Sequence, residues 1–273
     1  APVQAVLFRR ALATRLGGFD GRLRAFEDWD FWLRCAAETS RVSCSRTPTS
    51  CVDQRHHQGR MSSGRAAGLV AHAAIERRHR ALIEAHGGVA LGIQLRNNRR
   101  ELRRAALAEA SQRRVGLIVV EEPETGSWAK PLARALSPLT LVSQHALPPD
   151  PALHQQTLMS VLEDRALDTL AVVHSSAVEK LRPRAIAQLV THLDANPQVG
   201  AVSMRVTPPA TSDELDYAVD TEVSDVRCLV LGLEHARRAS FDPRHEARPI
   251  SEQWHELLAG MTEAGSRVLA AGD

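Results

Sequence analysis

Three carboxylates, Glu27, Asp28 and Asp30, fall within the segment FEDWDFWLR (26–34), set among the aromatics Phe26, Trp29 and Trp32. Ionising an acid is costly where bulky apolar groups exclude water, so this spacing asks for a reason. One reason is local: acids in the first turn of a helix are favoured by its dipole. The other is chemical. A carboxylate at the mouth of a cleft can accept the proton of a hydroxyl as that oxygen attacks an electrophile. The neighbouring aromatics would then raise its basicity by desolvation. A polar stretch further on, DQRHHQGRMSSG (53–64), adds His56 and His57 in a loop-like setting, where either plain loop histidines or ligands would fit.

The elements that must position these residues follow from pattern. Trp29, Trp32, Leu33 and Ala36 recur at helical spacing, so EDWDFWLRCAAE is expected to be a helix beginning at the acids. Before it, LGGFDGRL reads as a turn, with Gly17 and Gly18 free to adopt angles other residues avoid. VQAVLFRR, apolar and ending in charge, predicts a strand, and RVSCSRTPTSCV predicts a return to extended structure. From about Ser62 the character changes. AAGLVAHAAIERRHRALIEAH predicts a strong helix stopped by Gly87-Gly88, and LGIQLRNNRRELRRAALAEASQRR a second, Arg-dense one. The basic face of that second helix is read as solvated.

Beyond Val115 short apolar runs alternate with amphipathic stretches. VGLIVV, LTLVSQ, DTLAVVHS and VGAVSMRV predict strands, separated by helices over SWAKPLARAL, DPALHQQTLMSVLEDRA and RPRAIAQLVTHLDANP. RCLVLGL (strand), ISEQWHELLAGMTEAG (helix) and SRVLAAG (strand) close the chain. Such alternation predicts an α/β unit with a mostly parallel sheet flanked by helices. The organisation expected is therefore a first unit over 1–62, a helical connector over 63–114 and a second unit over 115–273.

Composition narrows the partners. The 273 residues carry a net charge of only +2, which gives no electrostatic case for nucleic acid or a membrane surface. No apolar run approaches the ~20 residues of a membrane span, and no leader-like segment opens the chain, so a cytoplasmic location is expected. Cys35, Cys44, Cys51 and Cys228 show no metal spacing and read as free thiols. The opening residues, APVQAVLFRR, read like the middle of a domain, and a longer protein is expected around them.

The two ends of the chain also resemble each other. GGFDGRLRAFEDWDFWLRCAAETSRVSC is echoed by RASFDPRHEARPISEQWHELLAGMTEAGSRVLA, matching Phe19-Asp20 to Phe241-Asp242, and Glu27, Trp29 and Leu33 to Glu252, Trp254 and Leu258. Turn, helix and strand come in one order, which predicts one supersecondary unit used twice. Asp28 then faces Gln253, an amide that cannot accept a proton near neutral pH.

LFRRALATRLGGFDGRLRAFEDWDFWLR resembles the acceptor-side half of an inverting GT-A glycosyltransferase of family 2, and QRHHQGRMS fits that family's following motif through Arg55, His57, Gly59, Met61 and Ser62. The resemblance implies a Rossmann-like GT-A fold, incomplete in the first unit. It implies transfer of a sugar from a nucleotide-sugar donor to the hydroxyl of a glycan or other acceptor, with inversion. Asp28 would be the general base and Glu27 its neighbour. Trp29, Trp32 and Arg55 would bind substrate, and His57 would approach the diphosphate or its Mg or Mn ion.

The second unit is similar to the same family in outline. Pro183, Ala185, Leu189-Val190, Pro197, Val199-Gly200 and Arg205 fall in place. It departs from the family where HSSAVE, with His174, Ser175, Ser176 and Ala177, replaces the metal-binding Asp-x-Asp. Ser143 stands where a nucleotide-binding Asp is expected, and Glu179 alone is a weak metal site. The resemblance thus implies a degenerate second GT-A-like domain that binds no metal, and a 273-residue piece inactive by itself. Two other readings stay open: a non-catalytic scaffold module that grips a glycan or a protein, and an unrelated nucleotide-binding α/β domain. An incomplete first sheet would expose an edge, to be covered within the chain or by a second copy.

Overall fold

The computed structural model describes residues 6–39, 64–120, 129–147, 151–178, 181–204, 219–220, 228–239 and 250–271. The chain forms two compact units, Ala1–Arg103 and Arg104–Asp273.

The described part of the first unit is helical: α1 (Arg10–Arg15), α2 (Glu27–Glu38), α3 (Arg65–Arg78), α4 (Arg80–His86) and α5 (Gly88–Ala110), within which the division falls. The strand expected over VQAVLFRR is not found among its described residues. Val6–Arg9 has no ladder partner, and helix α1 begins at Arg10. A strand needs a neighbour for its backbone groups, and the described residues of this unit offer none. The turn over LGGFDGRL is present. Gly17 and Gly18 have φ of 74° and 72°, and the Gly18 N–H donates to the Ala13 carbonyl at 2.9 Å, closing α1. Helix α2 covers the twelve residues expected of it. The single helix expected before Gly87 is two, broken at His79, whose backbone leaves helical angles (φ −105°, ψ 18°). Residues 63–78 therefore do more than connect: α3 packs within the first unit and supplies side chains to the acids of α2.

The second unit is an α/β fold around a seven-stranded mixed sheet. Its elements are β1 (Arg114–Val120), α6 (Ala129–Leu136), β2 (Thr140–Ala146), α7 (Pro151–Glu163), β3 (Thr169–His174), α8 (Ser175–Val178), α9 (Ala185–Ala195), β4 (Val199–Met204), β5 (Val219–Asp220), β6 (Cys228–Gly232), α10 (Leu233–Arg238), α11 (Ile250–Glu263) and β7 (Arg267–Ala271). The strand order is β2-β1-β3-β6-β4-β7-β5. Pairs β1–β2, β1–β3 and β4–β7 are parallel, whereas β6 runs antiparallel to both β3 and β4, and β5 antiparallel to β7. The expectation of a mostly parallel sheet is corrected to a mixed one. A strand enters parallel to its predecessor when a crossover carries the chain back to the starting edge. Between β4 and β6 no helix occurs among the described residues, and the chain returns in the opposite direction.

Over β1, β3, β4 and β6 both faces of this sheet are covered, so those strands are apolar on both sides, whereas the edge strand β2 is largely exposed. Alternate residues divide between two cores with the period of a strand. Leu117 and Val119 of β1, Val173 of β3 and Val230 of β6 face α6 and α9, where Leu132, Ile186 and Val190 are buried. Ile118, Leu170, Val172, Leu229 and Leu231 face the other way, against Leu158 of α7, Leu233 of α10, and Trp254, Leu257 and Met261 of α11.

Candidate functional site

The acids of FEDWDFWLR take different fates. Asp30 is fully buried. It accepts from Arg34 Nε at 2.8 Å, from an Arg78 guanidinium nitrogen at 2.9 Å, and lies 2.9 Å from His79 Nε2. Burial raises its pKa, but hydrogen bonds from His79, Arg34 and Arg78 outweigh that and lower it to about 2. The same cations reach onward. Arg34 donates to the carbonyls of Leu16 and Gly18 at 2.6 and 2.7 Å, and Arg78 to Asp20 at 3.0 Å. Asp20, also bonded through Arg22, is held below the usual carboxylate range although burial works against this. The Gly-Gly-Phe-Asp turn, the first turn of α2 and the end of α3 are thus tied through one buried carboxylate.

With Asp30 committed, the start of α2 has a fixed orientation. Glu27 and Asp28 are partly exposed there, and Asp28 accepts from the Trp29 N–H at 2.8 Å. Among the described residues Asp28 forms no ion pair. Trp29 and Trp32 are both part-buried, not free platforms. Trp29 lies 5.1 Å from the His72 ring and 6.2 Å from Phe26. Trp32 stands in a cluster with Phe31 (5.2 Å) and Phe8 (5.5 Å), and its indole nitrogen is buried with no hydrogen-bond partner. The structure therefore brings together Glu27, Asp28 and Trp29, with Trp32 one turn along the helix. Arg55 and His57 lie outside the described residues, as do His56, Cys44, Cys51 and Glu179.

Sequence reasoning missed Asp30, Arg78 and His79 as a group. The spacing of Asp30 and Arg34, one helical turn apart, was a readable signal. Arg78 and His79 carried none, since they arrive from 48 and 49 residues away.

In the second unit β1 is flanked by β2 on one side and β3 on the other, both parallel to it, so the strand order reverses at β1. The carboxyl ends of the strands flanking such a reversal are where open α/β sheets in general receive a ligand. His174 ends β3 and Ser175 begins α8. His174 Nδ1 lies 2.8 Å from Ser176 Oγ and also accepts from the Ser176 N–H at 3.3 Å. His174 and the hydroxyls of Ser175 and Ser176 thus stand together at the carboxyl end of β3. Ser143, on β2, has a buried hydroxyl with no hydrogen-bond partner. Gln253, expected to mirror Asp28, is only 7% exposed, on a buried face of α11. Its neighbour Trp254, 2% exposed, is deep in the core, whereas Trp29 is not.

Among the described residues no three His, Cys, Asp or Glu side chains gather so as to hold a metal ion. None of the described helices is long and apolar enough to cross a membrane. Set against protein-family models, curated proteins and solved structures, the chain finds no match in any of the three comparisons.

Proposed function

We propose that the first unit is the acceptor side of a family 2 inverting glycosyltransferase, with Asp28 as general base. A sugar acceptor offers a hydroxyl to Asp28. As the oxygen bonds to the anomeric carbon of a nucleotide sugar, its proton passes to the carboxylate and the bond to the diphosphate breaks. One observation carries this reading: Asp30 absorbs the surrounding cations, which leaves Asp28 partly exposed and unpaired among the described residues at a rigid helix start. Trp29 beside it supplies an apolar edge for a sugar ring. Arg55 and His57 remain proposals from resemblance, as does a Mg or Mn ion for the whole enzyme.

The second unit is proposed as a GT-A-like companion without chemistry of its own, because His174, Ser175 and Ser176 stand at the carboxyl end of β3 where acids would be needed. The same lack of acids in that stretch favours a second reading, in which that unit is a scaffold that grips a glycan or a protein.

The test uses the full-length protein, a panel of nucleotide sugars and the release of nucleoside diphosphate in the presence of a glycan extract. Asp28→Asn is expected to lower turnover by about 10²–10⁴-fold, the usual worth of a general base. Unchanged turnover would refute the base assignment. Glycan retention without turnover, equal in wild type and Asp28→Asn, would favour the scaffold.

A further inference from the structure

Gly68, His72 and Glu76 follow one another at four-residue spacing and so share one stripe of α3. A Cβ at Gly68 would lie 3.3 Å from Leu102 Cδ2, a tight approach, and 3.6 Å from Phe26 Cε2, an ordinary contact, so the stripe runs directly beneath the Phe26 ring. His72 is 3% exposed, and neither of its ring nitrogens has a hydrogen-bond partner. Such orphaned buried groups are uncommon and call for an explanation. The imidazole lies 5.1 Å from Trp29 and 6.2 Å from Phe26, edge-on to the latter at 78°. Its Nδ1 is 3.7 Å from Glu76 Oε2, which Arg99 of α5 holds at 3.1 Å. Burial pushes the His72 pKa down, Glu76 pulls it up, and Arg99 pushes it down again, for a net lowering.

What this stripe touches is unusual in its backbone. Phe26, immediately before Glu27 and Asp28, has φ 59° and ψ 24°, a left-handed conformation in a residue that is not glycine. Such a conformation persists only where its surroundings hold it, and it gathers at functional sites. Phe26 has no polar side chain to cap α2; its carbonyl accepts from the Asp30 N–H at 3.1 Å, and its ring meets Trp29 and His72.

We propose that His72 is a positioning residue: its uncharged ring, wedged against Phe26 and Trp29, holds the left-handed turn at Phe26 and thereby sets where Glu27 and Asp28 point. The functional weight of this rests on Asp28 being the base; the coupling itself does not. A protonated ring would be drawn to the Glu76 carboxylate on its own helix and pushed by Arg99 from α5. Either movement loosens its contact with Trp29 and, through it, the helix start that carries Glu27 and Asp28.

The experiment is NMR on the full chain carrying 5-fluorotryptophan and carboxyl-¹³C aspartate, titrated between about pH 4.5 and 8 around the ordinary histidine range. Trp29→Phe and Asp28→Asn assign the two signals. Trp29 fluorine and Asp28 carboxyl signals are expected to shift with one common midpoint below about 6.5, the ordinary histidine value. His72→Phe keeps a ring but cannot titrate, and is expected to remove that step from both signals. Glu76→Gln withdraws the charge that favours protonation and is expected to move the midpoint to lower pH. A Trp29 step without an Asp28 step overturns the proposal, as does an Asp28 step that survives His72→Phe. If His72→Phe does not fold, a midpoint unmoved by Glu76→Gln overturns it instead. Failure of the base assignment shows separately, as turnover that survives Asp28→Asn while the two signals still move together.

Discussion

Asp30 shows how one side chain can be misread when its neighbours in space are unknown. It lies in the same acidic segment as Asp28, yet it is sealed by Arg34, Arg78 and His79. Its folded pKa of about 2 lies below the ordinary 3.8, so between those values the unfolded chain binds more protons. Its contribution to stability is therefore complete above pH 3.8 and drains away as the pH falls towards 2. The gap corresponds to about 2 kcal/mol. Urea unfolding followed by Trp29 and Trp32 fluorescence should show a first-unit midpoint that falls across this window. In Asp30→Asn that fall should be blunted. At neutral pH the same variant should lose about 3–5 kcal/mol, because two guanidinium groups are left facing a neutral amide. Equal midpoints for wild type and variant at neutral pH would show the cluster to be inert. The Asp30–Arg34 half of this network was legible in the sequence as a pair one turn apart. The half that decides the matter, Arg78 and His79, was not, since no local pattern reports a partner from a distant helix.

At the scale of elements, legibility followed burial. Strands β1, β3 and β4 stood out as short apolar runs because both faces of the sheet are covered, and helix α2 stood out because acids and aromatics marked its start. Strand β6 was found but its direction was not. CLVLG is apolar whichever way it runs, and direction is set by the connection before it. The expected repeat fares differently at its two ends. Helix α11 buries Gln253, Trp254, Leu257 and Leu258, whereas α2 buries Asp30, Phe31 and Cys35 and leaves Trp29 and Leu33 partly open. The aligned tryptophans thus occupy unlike environments: the shared letters describe two amphipathic helices that present different faces. The neighbourhood of α11 also carries a testable constraint. In β4 the register against β7 shifts between Val199 and Ala201, leaving Gly200 in a tight place. A Cβ there would come within 2.7 Å of Met261 Cε and 3.0 Å of the Cβ atoms of His235 and Ser266. Met261 can swing aside. The other two atoms are fixed to backbone and joined by a 2.9 Å contact between His235 Nδ1 and Ser266 Oγ. Gly200→Ala should therefore cost about 1–3 kcal/mol, as overpacking does. It should appear as a lower urea midpoint in Trp254 fluorescence, and a midpoint equal to wild type would mean that β4 or α10 shifts without penalty.

For the whole molecule, the two units differ in what stabilises them. The first is tied through a buried charged network linking a turn, helix α2 and the end of α3. The second is a sheet whose two cores draw every buried member from residues 110–269. A sheet whose central strands are covered on both faces by its own helices carries its core inside its own boundaries. Residues 104–273 expressed alone are therefore expected to fold, with one cooperative urea transition and the near-ultraviolet signal of a buried Trp254. The Asp30→Asn change in the full chain should lower the first transition and leave the midpoint of this second one where the isolated unit has it. Sites without shared partners behave additively, and neither Asp30 nor its bonded partners Arg34, Arg78 and His79 belong to either sheet core. If residues 104–273 instead give a molten, non-cooperative species, the division at Arg103–Arg104 is not a folding boundary. The second unit's proposed part as a companion to the acceptor site would then have to be argued from a single cooperative body, and the acid lability of Asp30 would be felt as far as β7.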